Sequence, residues 1–432
     1  MKSKIRRRDF LKAASVAAAG ITFMKPESVF GTSANSAVQL GLIGCGGRGT
    51  HVATSFMNST DTRVVAIAEL FGDRLTAAKD HFNQLSREKK YPEIKASNLF
   101  LGSRSYLKLL ESKDVDAVLI ATPPFLHPEH LLATVAAGKH VYCEKPVAVD
   151  AHGCQQVMWA GRKAGPRLNL AVGFQIRHAT PFVEMVRRIH SGAIGDIVMG
   201  QAYYFTSAIN FPAFPEAAPE ELRIRHWIYD RVLSGDILVE QGIHVVDICN
   251  WVLQSHPLKA TGAGGRKGRS DSGNCWSHYA VNYEYPNGVQ VGFQSTQFDP
   301  GFGDVCERFF GTKGISESHY TGGVLIKGEN AWDSGVARGS QEEISKKDWA
   351  AGSFKSSFKS ALEDADPNKE KAFIESIKTG KAINEAPAGA ESALSAILGR
   401  TAAYTGEEVS WDKIITSNDK WDPMIDLSQF DR

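Results

Sequence analysis

Val38-Gln39-Leu40-Gly41-Leu42-Ile43-Gly44-Cys45-Gly46-Gly47-Arg48-Gly49 is the stretch that decides the fold. Its first half is an apolar run of strand length. Its second half is G-x-G-x-x-G, and Thr50 to Met57 follows with the pattern of a helix start. A second strand-like run, Arg63-Val64-Val65-Ala66-Ile67-Ala68, ends at Glu69, 20 residues past the last glycine. Strand, glycine turn, helix and downstream acid in this register are the spacing of a dinucleotide-binding unit. Glycine lets the backbone approach a pyrophosphate, and the helix N-terminus offers unpaired N–H groups and a positive dipole end. An acid at position 69 accepts hydrogen bonds from ribose hydroxyls and repels a 2′-phosphate, which favours NAD over NADP.

Outward from this unit the strand–helix alternation continues. Ala117 to Ala121 is an apolar strand ended by Thr122-Pro123-Pro124, Pro128 to Ala137 is helical in pattern with Gly138 as its stop, and His140 to Cys143 is another strand. Alternation of this kind predicts an open α/β sheet, with ligands bound beyond the carboxyl ends of its strands. Gly44, Glu69, Thr122 and Glu144 all fall on that edge. Lys145, in Glu144-Lys145-Pro146, is there either a surface residue or a proton handler beside a nicotinamide.

The chain of 432 residues carries a net charge of +1 and 22% charged residues. Residues 1–37 alone hold seven basic and two acidic side chains, so the rest is mildly acidic and offers nothing to a nucleic acid. Arg7-Arg8-Asp9-Phe10-Leu11-Lys12 precedes an uncharged, Ala-rich stretch from Ala13 to Phe23. That stretch is too short and too weakly apolar to cross a bilayer of roughly 30 Å. It predicts a twin-arginine signal for export of a folded protein to the periplasm, with no membrane span left after signal removal; a retained basic helix or a membrane anchor is the alternative. Six cysteines (Cys45, Cys143, Cys154, Cys249, Cys275, Cys306) occur without a C-x-x-C, and a chain of this length needs no staples. Free, buried thiols are expected.

The second half places Glu240 and His244 four residues apart in Ser234-Gly235-Asp236-Ile237-Leu238-Val239-Glu240-Gln241-Gly242-Ile243-His244-Val245-Val246-Asp247. On a helix they share a face, where the carboxylate orients the imidazole and raises its pKa, as suits a general base. A structural histidine is the competing reading; a metal pair lacks a third ligand at convincing spacing, so no metal is expected. Tyr203, Tyr204, Phe205, Phe211, Phe214 and Trp227 surround a Pro-containing stretch, and flat rings there suit either a sugar face or ordinary packing. A hairpin is expected at Asn287-Gly288, a long polar surface excursion over 333–369, and helices ending at Gly380 and near Gly406.

The glycine loop, Ala137-Gly138-Lys139-His140-Val141-Tyr142-Cys143-Glu144-Lys145-Pro146 and the Glu240…His244 segment together resemble the glucose–fructose oxidoreductase/inositol dehydrogenase/MocA family. The resemblance spans most of the chain after residue 38. After the signal and linker (1–37) it implies an NAD-binding Rossmann domain (38–150) and an α/β domain with a mostly antiparallel open sheet (151–432). It also implies a sugar, cyclitol or glycoside substrate, NAD and a homo-oligomer, dimer or tetramer; export in the folded state would let the protein carry that NAD tightly held. Lys145 then falls at the catalytic lysine and His244 at the acid/base. Glu240 stands where members usually carry Asp. The implied cofactor ligands are Gly44, Cys45, Gly46, Gly47, Arg48, Gly49, Glu69, Thr122, Pro123, His127, Glu144 and Lys145. At the expected first strand end of the second domain, Gln175, Arg177 and His178 become candidate substrate ligands with Tyr204 and Trp227; on spacing alone Arg177 equally suits a pairing with an acid. Retention of Lys145 favours a dehydrogenase over the family's NAD-dependent glycosidases, which oxidise a sugar transiently and eliminate the aglycone; a non-catalytic sugar sensor is the third class.

Overall fold

The run from Val38 to Val172 folds as six parallel strands: β1 (Val38–Ile43), β2 (Thr62–Glu69), β3 (Leu99–Leu101), β4 (Ala117–Ile120), β5 (His140–Cys143) and β6 (Leu170–Val172). Their spatial order is β3-β2-β1-β4-β5-β6. This computed structural model describes residues 37–209, 211–298, 302–336 and 361–431; the predicted twin-arginine segment lies outside them. Helices cover both faces of a parallel sheet, so its strands are apolar throughout rather than alternating. Every residue of β4 is buried accordingly. The strands anticipated over 38–43, 63–68, 117–121 and 140–143 all occur. β3 is short and largely solvent-facing, with no sequence periodicity to mark it.

β6 corrects one expectation. The strand ending before Gly173 was assigned to the second domain, but it pairs in parallel with β5 (Val141 with Leu170, Cys143 with Val172) and closes the first sheet. Gln175 therefore stands on the same carboxyl edge as Glu144.

Among the described residues the second sheet has nine strands, β7 (Ile197–Thr206), β8 (Lys259–Gly265), β9 (His278–Glu284), β10 (Gln290–Gln297), β11 (Asp304–Gly311), β12 (Gly314–His319), β13 (Val324–Gly328), β14 (Trp332–Asp333) and β15 (Val409–Ser410), in the order β14-β13-β12-β11-β7-β10-β9-β8-β15. At its centre β7 (Ile197–Thr206) runs parallel to β10 (Gln290–Gln297) and antiparallel to β11 (Asp304–Gly311); the remaining pairings are antiparallel. Burial alternates along β9 (His278–Glu284) and β10, the pattern of a sheet with one face packed and one open. Helices Ile243–Leu253 and Ala386–Thr405 cover the packed face. The hairpin joining β9 to β10 turns at Asn287 and Gly288, both at positive φ, as Asn-Gly favours.

Helix Ala386–Thr405 is buried along most of its length and also packs on helix Ala151–Ala164 of the first half. Its Arg400 donates to the carbonyls of Val149 and Gly235. The expected excursion over 333–369 does not extend to its predicted end. Ala361, Leu362 and Ala365 are buried, and helix Ala365–Thr379 packs on the helix that follows the glycine loop. All six cysteines are buried and free, as expected. No described helix is long and apolar enough to cross a membrane.

Candidate functional site

The glycine loop leaves β1 through Gly44, at φ +91°, where an added Cβ would lie 2.8 Å from the Ala121 carbonyl and Thr122 N. Only glycine serves at that crowded, left-handed position. Helix Gly47–Ser59 follows with no side-chain cap at Gly46, leaving its first N–H groups turned toward the cleft. The cleft is open to solvent on one side. Gly44, Gly46, Glu69, Thr122 and Pro123 line it, beside Arg74, Ser103, Tyr106 and His130. This lining fits the adenosine and pyrophosphate of a dinucleotide.

Glu69 is 6% exposed. Its carboxylate accepts from the N–H groups of Cys45 (2.7 Å), Leu70 (2.8 Å) and Phe71 (3.1 Å), so it ties the glycine loop to the end of β2 as well as facing the cleft. His127 is buried and is not among the residues lining the cleft: its ring nitrogens lie 2.7 Å from the carbonyls of Pro146 and Thr122, binding two edge turns together from inside.

Beyond β5 and β6 the chemistry becomes dense. Lys145 Nζ donates to the Glu240 carbonyl (2.8 Å) and to Glu240 Oε1 (3.1 Å), with both side chains nearly buried. The sequence reading is corrected here. Leu238–Gly242 forms a π-helical turn before helix Ile243–Leu253 begins, so positions 240 and 244 do not keep α-helical register. The Glu240 carboxylate serves Lys145 and not the imidazole.

His244 is 8% exposed, and its Nδ1 is buried with no hydrogen-bond partner among the described residues. Tyr204 stacks alongside (centroids 6.2 Å apart) and Tyr320 meets it edge-on (6.3 Å). Burial first, then the charges of Lys145, Arg48 and Lys369, hold the imidazole well below its usual pKa, with Asp366 opposing. The expected rise from a neighbouring carboxylate is replaced by a fall, and the ring is neutral at pH 7.

Arg48 is engaged by side chains of the protein itself. Its guanidinium reaches Glu144 (3.0 Å), both oxygens of Asp366 (3.1 and 3.2 Å) and Gln175 (3.4 Å). Lys369, 2% exposed, donates to Asp366 at 2.8 Å. Burial raises the Asp366 carboxyl, but Lys369 and Arg48 outweigh it and keep it ionised. Gly173 allows this cluster: a Cβ there would sit 2.5 Å from Glu144 Oε2. Asp366 and Lys369 escaped the sequence reading because a polar stretch without periodicity hides its own helix start.

The remaining candidates separate. Gln175 and Tyr204 belong to the site just described. Arg177 is bidentate on Asp247 through Nε and Nη2 (2.8 and 2.9 Å), one turn past His244, so its fork braces that helix. His178 lines a small separate pocket with Arg177, Phe174 and Glu385, and burial together with Lys369 lowers its pKa to about 4. Trp227 lies on the adenosine cleft, not on the Lys145–His244 side.

A six-stranded 3-2-1-4-5-6 sheet with a glycine loop, an acid after β2 and a lysine–histidine pair at its carboxyl edge defines a dinucleotide-dependent oxidoreductase. The GFO/IDH/MocA oxidoreductase profile, described as an NAD-binding Rossmann fold, matches residues 38–174, and the GFO/IDH/MocA C-terminal domain profile matches residues 182–317. Together they cover more than half of the chain, which belongs to this oxidoreductase family. An inositol 2-dehydrogenase of Ralstonia nicotianae is 27% identical over 286 residues, covering 65% of this chain and 73% of that protein. Inositol 2-dehydrogenase 2 of Saccharopolyspora erythraea is 28% identical over 225 residues, covering 52% and 56%; against it the chain spans little more than half the relative's length. A levoglucosan dehydrogenase solved with NADH and levoglucosan superposes with a TM-score of 0.65 at 18% identity, covering 87% of this chain and 99% of that one. The aldose–aldose oxidoreductase of Caulobacter crescentus does so with 0.65 at 19%, covering 87% and 99%. These superpositions establish the shared fold.

Proposed function

We propose that the chain is an exported NAD-dependent dehydrogenase that oxidises a secondary hydroxyl of a sugar or glycoside. The observation that carries this reading is the convergence of Lys145, Glu240 and His244 at the carboxyl edge of the dinucleotide sheet. Bound NAD supplies the hydride acceptor. His244, neutral at working pH, takes the hydroxyl proton at a ring nitrogen. Lys145 donates a hydrogen bond to the same oxygen and stabilises the charge that develops there. Glu240 holds the Lys145 ammonium in place. Tyr204 and Gln175 line the substrate side, and burial, with the charges of Lys145, Arg48 and Lys369, keeps the imidazole unprotonated.

Relatives named inositol 2-dehydrogenase and levoglucosan dehydrogenase favour a polyol or sugar as the substrate class. The Glu69 carboxylate at the cleft favours NAD over NADP. The twin-arginine pattern of residues 7–12 favours export of the folded protein. Free NAD is scarce outside the cytoplasm, so such a protein carries its nucleotide with it and couples oxidation of one hydroxyl to reduction of a carbonyl.

The test is mass spectrometry of the nucleotide released from the native protein, followed by a panel of sugars, glycosides and keto-sugars. The proposal predicts NAD and a substrate that reduces it. Release of aglycone from a chromogenic glycoside without net NADH would assign the glycosidase cycle instead. A protein that binds NAD and turns over nothing would be a sensor.

A further inference from the structure

Three residues from outside the parallel sheet and its loops line the adenosine end of the cleft: Ile224 and Trp227 from the second half of the chain, and Leu427 from its C-terminal end. The remaining lining residues lie between Ile43 and His130. A dinucleotide fold alone leaves this end of its ligand open to solvent; here it is roofed.

Two latches fix the roof, and both engage the loops that flank the cleft. Arg225, between Ile224 and Trp227, is bidentate on Asp73 (3.0 Å twice), and its Nε donates to Glu221 at 2.7 Å. Its guanidinium lies 4.1 Å from the centroid of Phe71 and 4.6 Å from that of Phe214. Phe71 and Asp73 directly follow Glu69, so this contact bolts the roof to the segment carrying the ribose-facing acid. The second latch is the C-terminal strap. The Asp431 carboxylate accepts from Ser103 N and from Ser103 Oγ (2.8 Å), and Phe430 meets Phe71 with centroids 5.7 Å apart. Upstream the strap is anchored by Trp421, whose N–H donates to Asp150 (2.7 Å) and whose ring lies 3.8 Å from the Arg400 guanidinium.

We infer that segment 224–227 and strap 427–431 complete the adenosine subsite and retain the dinucleotide, so that its release requires opening the Arg225–Asp73 and Asp431–Ser103 latches. Trp227 supplies a flat aromatic wall, the side chain that suits a purine face, and Leu427 closes the apolar side. The inference rests on the nucleotide-binding part of the proposed function. It does not depend on which sugar is oxidised.

The experiment is nucleotide exchange on the full-length holoprotein. Protein bearing its co-purified nucleotide is mixed with excess isotopically labelled NAD, and release of the bound molecule is followed in wild type, Arg225→Met, Asp431→Ala and Ser103→Ala. Thermal unfolding of each variant confirms that it is folded; Ser103→Ala removes one hydroxyl contact and is the mildest change. Losing a charge-assisted pair is expected to accelerate release roughly ten- to a hundredfold in Arg225→Met and Asp431→Ala, and the double variant to exceed either. Ser103→Ala falls between them and wild type. Exchange of wild type within the mixing time, or unchanged release from every folded variant, overturns the inference while leaving the dinucleotide function standing. A protein that binds no dinucleotide at all removes both.

Discussion

Glu240→Gln separates the two roles open to this carboxylate. The substitution keeps the side-chain shape and the main-chain carbonyl that receives Lys145 Nζ at 2.8 Å, but it turns the charged partner at 3.1 Å into a neutral amide. The amide oxygen still accepts from the ammonium, so what is lost is the opposite charge of the acceptor, within the spread of roughly 1.5–3 kcal/mol for bonds to charged groups. The anchoring of the ammonium therefore weakens by about 1–2 kcal/mol, and if that reaches the transition state the rate falls about five- to thirtyfold. Solvent screening is minor, since the two side chains are 14% and 11% exposed. The assay is single-turnover reduction of bound nucleotide by the best sugar of the panel, followed by nicotinamide absorbance. In a Lys145→Met background no ammonium remains to be held, so adding Glu240→Gln should cost less than about twofold. If the full loss persists in Lys145→Met and disappears beside His244→Asn, Glu240 acts on the imidazole and the reasoning fails.

Three other perturbations test separate parts of the account. Burial and three nearby cations depress the His244 pKa, so its base form is fully populated at the ordinary value of 6.5. The acid limb of kcat/KM is thus expected well below pH 6.5, and a limb at or above it contradicts the neutral imidazole. Burial, opposed by the Ser318 hydrogen bond, raises the Glu307 carboxyl to about 8. A raised folded-state pKa contributes stability that is complete below the unfolded value and lost as pH rises through 8. Glu307→Gln cannot ionise, so its Tm relative to wild type should climb between about pH 4.5 and about pH 8 and level off above that, and a flat difference refutes the assignment. Glu69→Ala removes the negative charge at the cleft and frees three N–H groups. The ratio of NAD to NADP affinity by calorimetry should fall by about tenfold or more, and an unchanged ratio places nucleotide selection elsewhere.

What the sequence disclosed depended on whether the signal was local. β1 with its glycine loop, β4, β5 and the Asn287-Gly288 hairpin were legible because strand apolarity and turn chemistry are written within a few residues. β3 was not, since a three-residue strand carries no period; a strand before Gly173 was expected, but only pairing shows that β6 closes the first sheet. Lys145 and His244 were found from motif and spacing, but their relation to Glu240 was not. An i,i+4 spacing assumes α-helical register, and the π-turn at Leu238–Gly242 breaks it. Asp366 and Lys369 reach the site only through tertiary packing of a helix whose polar start offers no pattern. Trp227 was expected on the substrate side and instead lines the glycine-loop cleft; its position there is held by Arg225 pairing with a residue 152 positions away.

The most direct measurement is a crystal structure of the NAD-loaded protein with a bound substrate sugar. The account predicts Lys145 Nζ and a ring nitrogen of His244 within about 3 Å of one and the same hydroxyl oxygen. A sugar whose oxidisable hydroxyl meets only one of these groups, or neither, would contradict it.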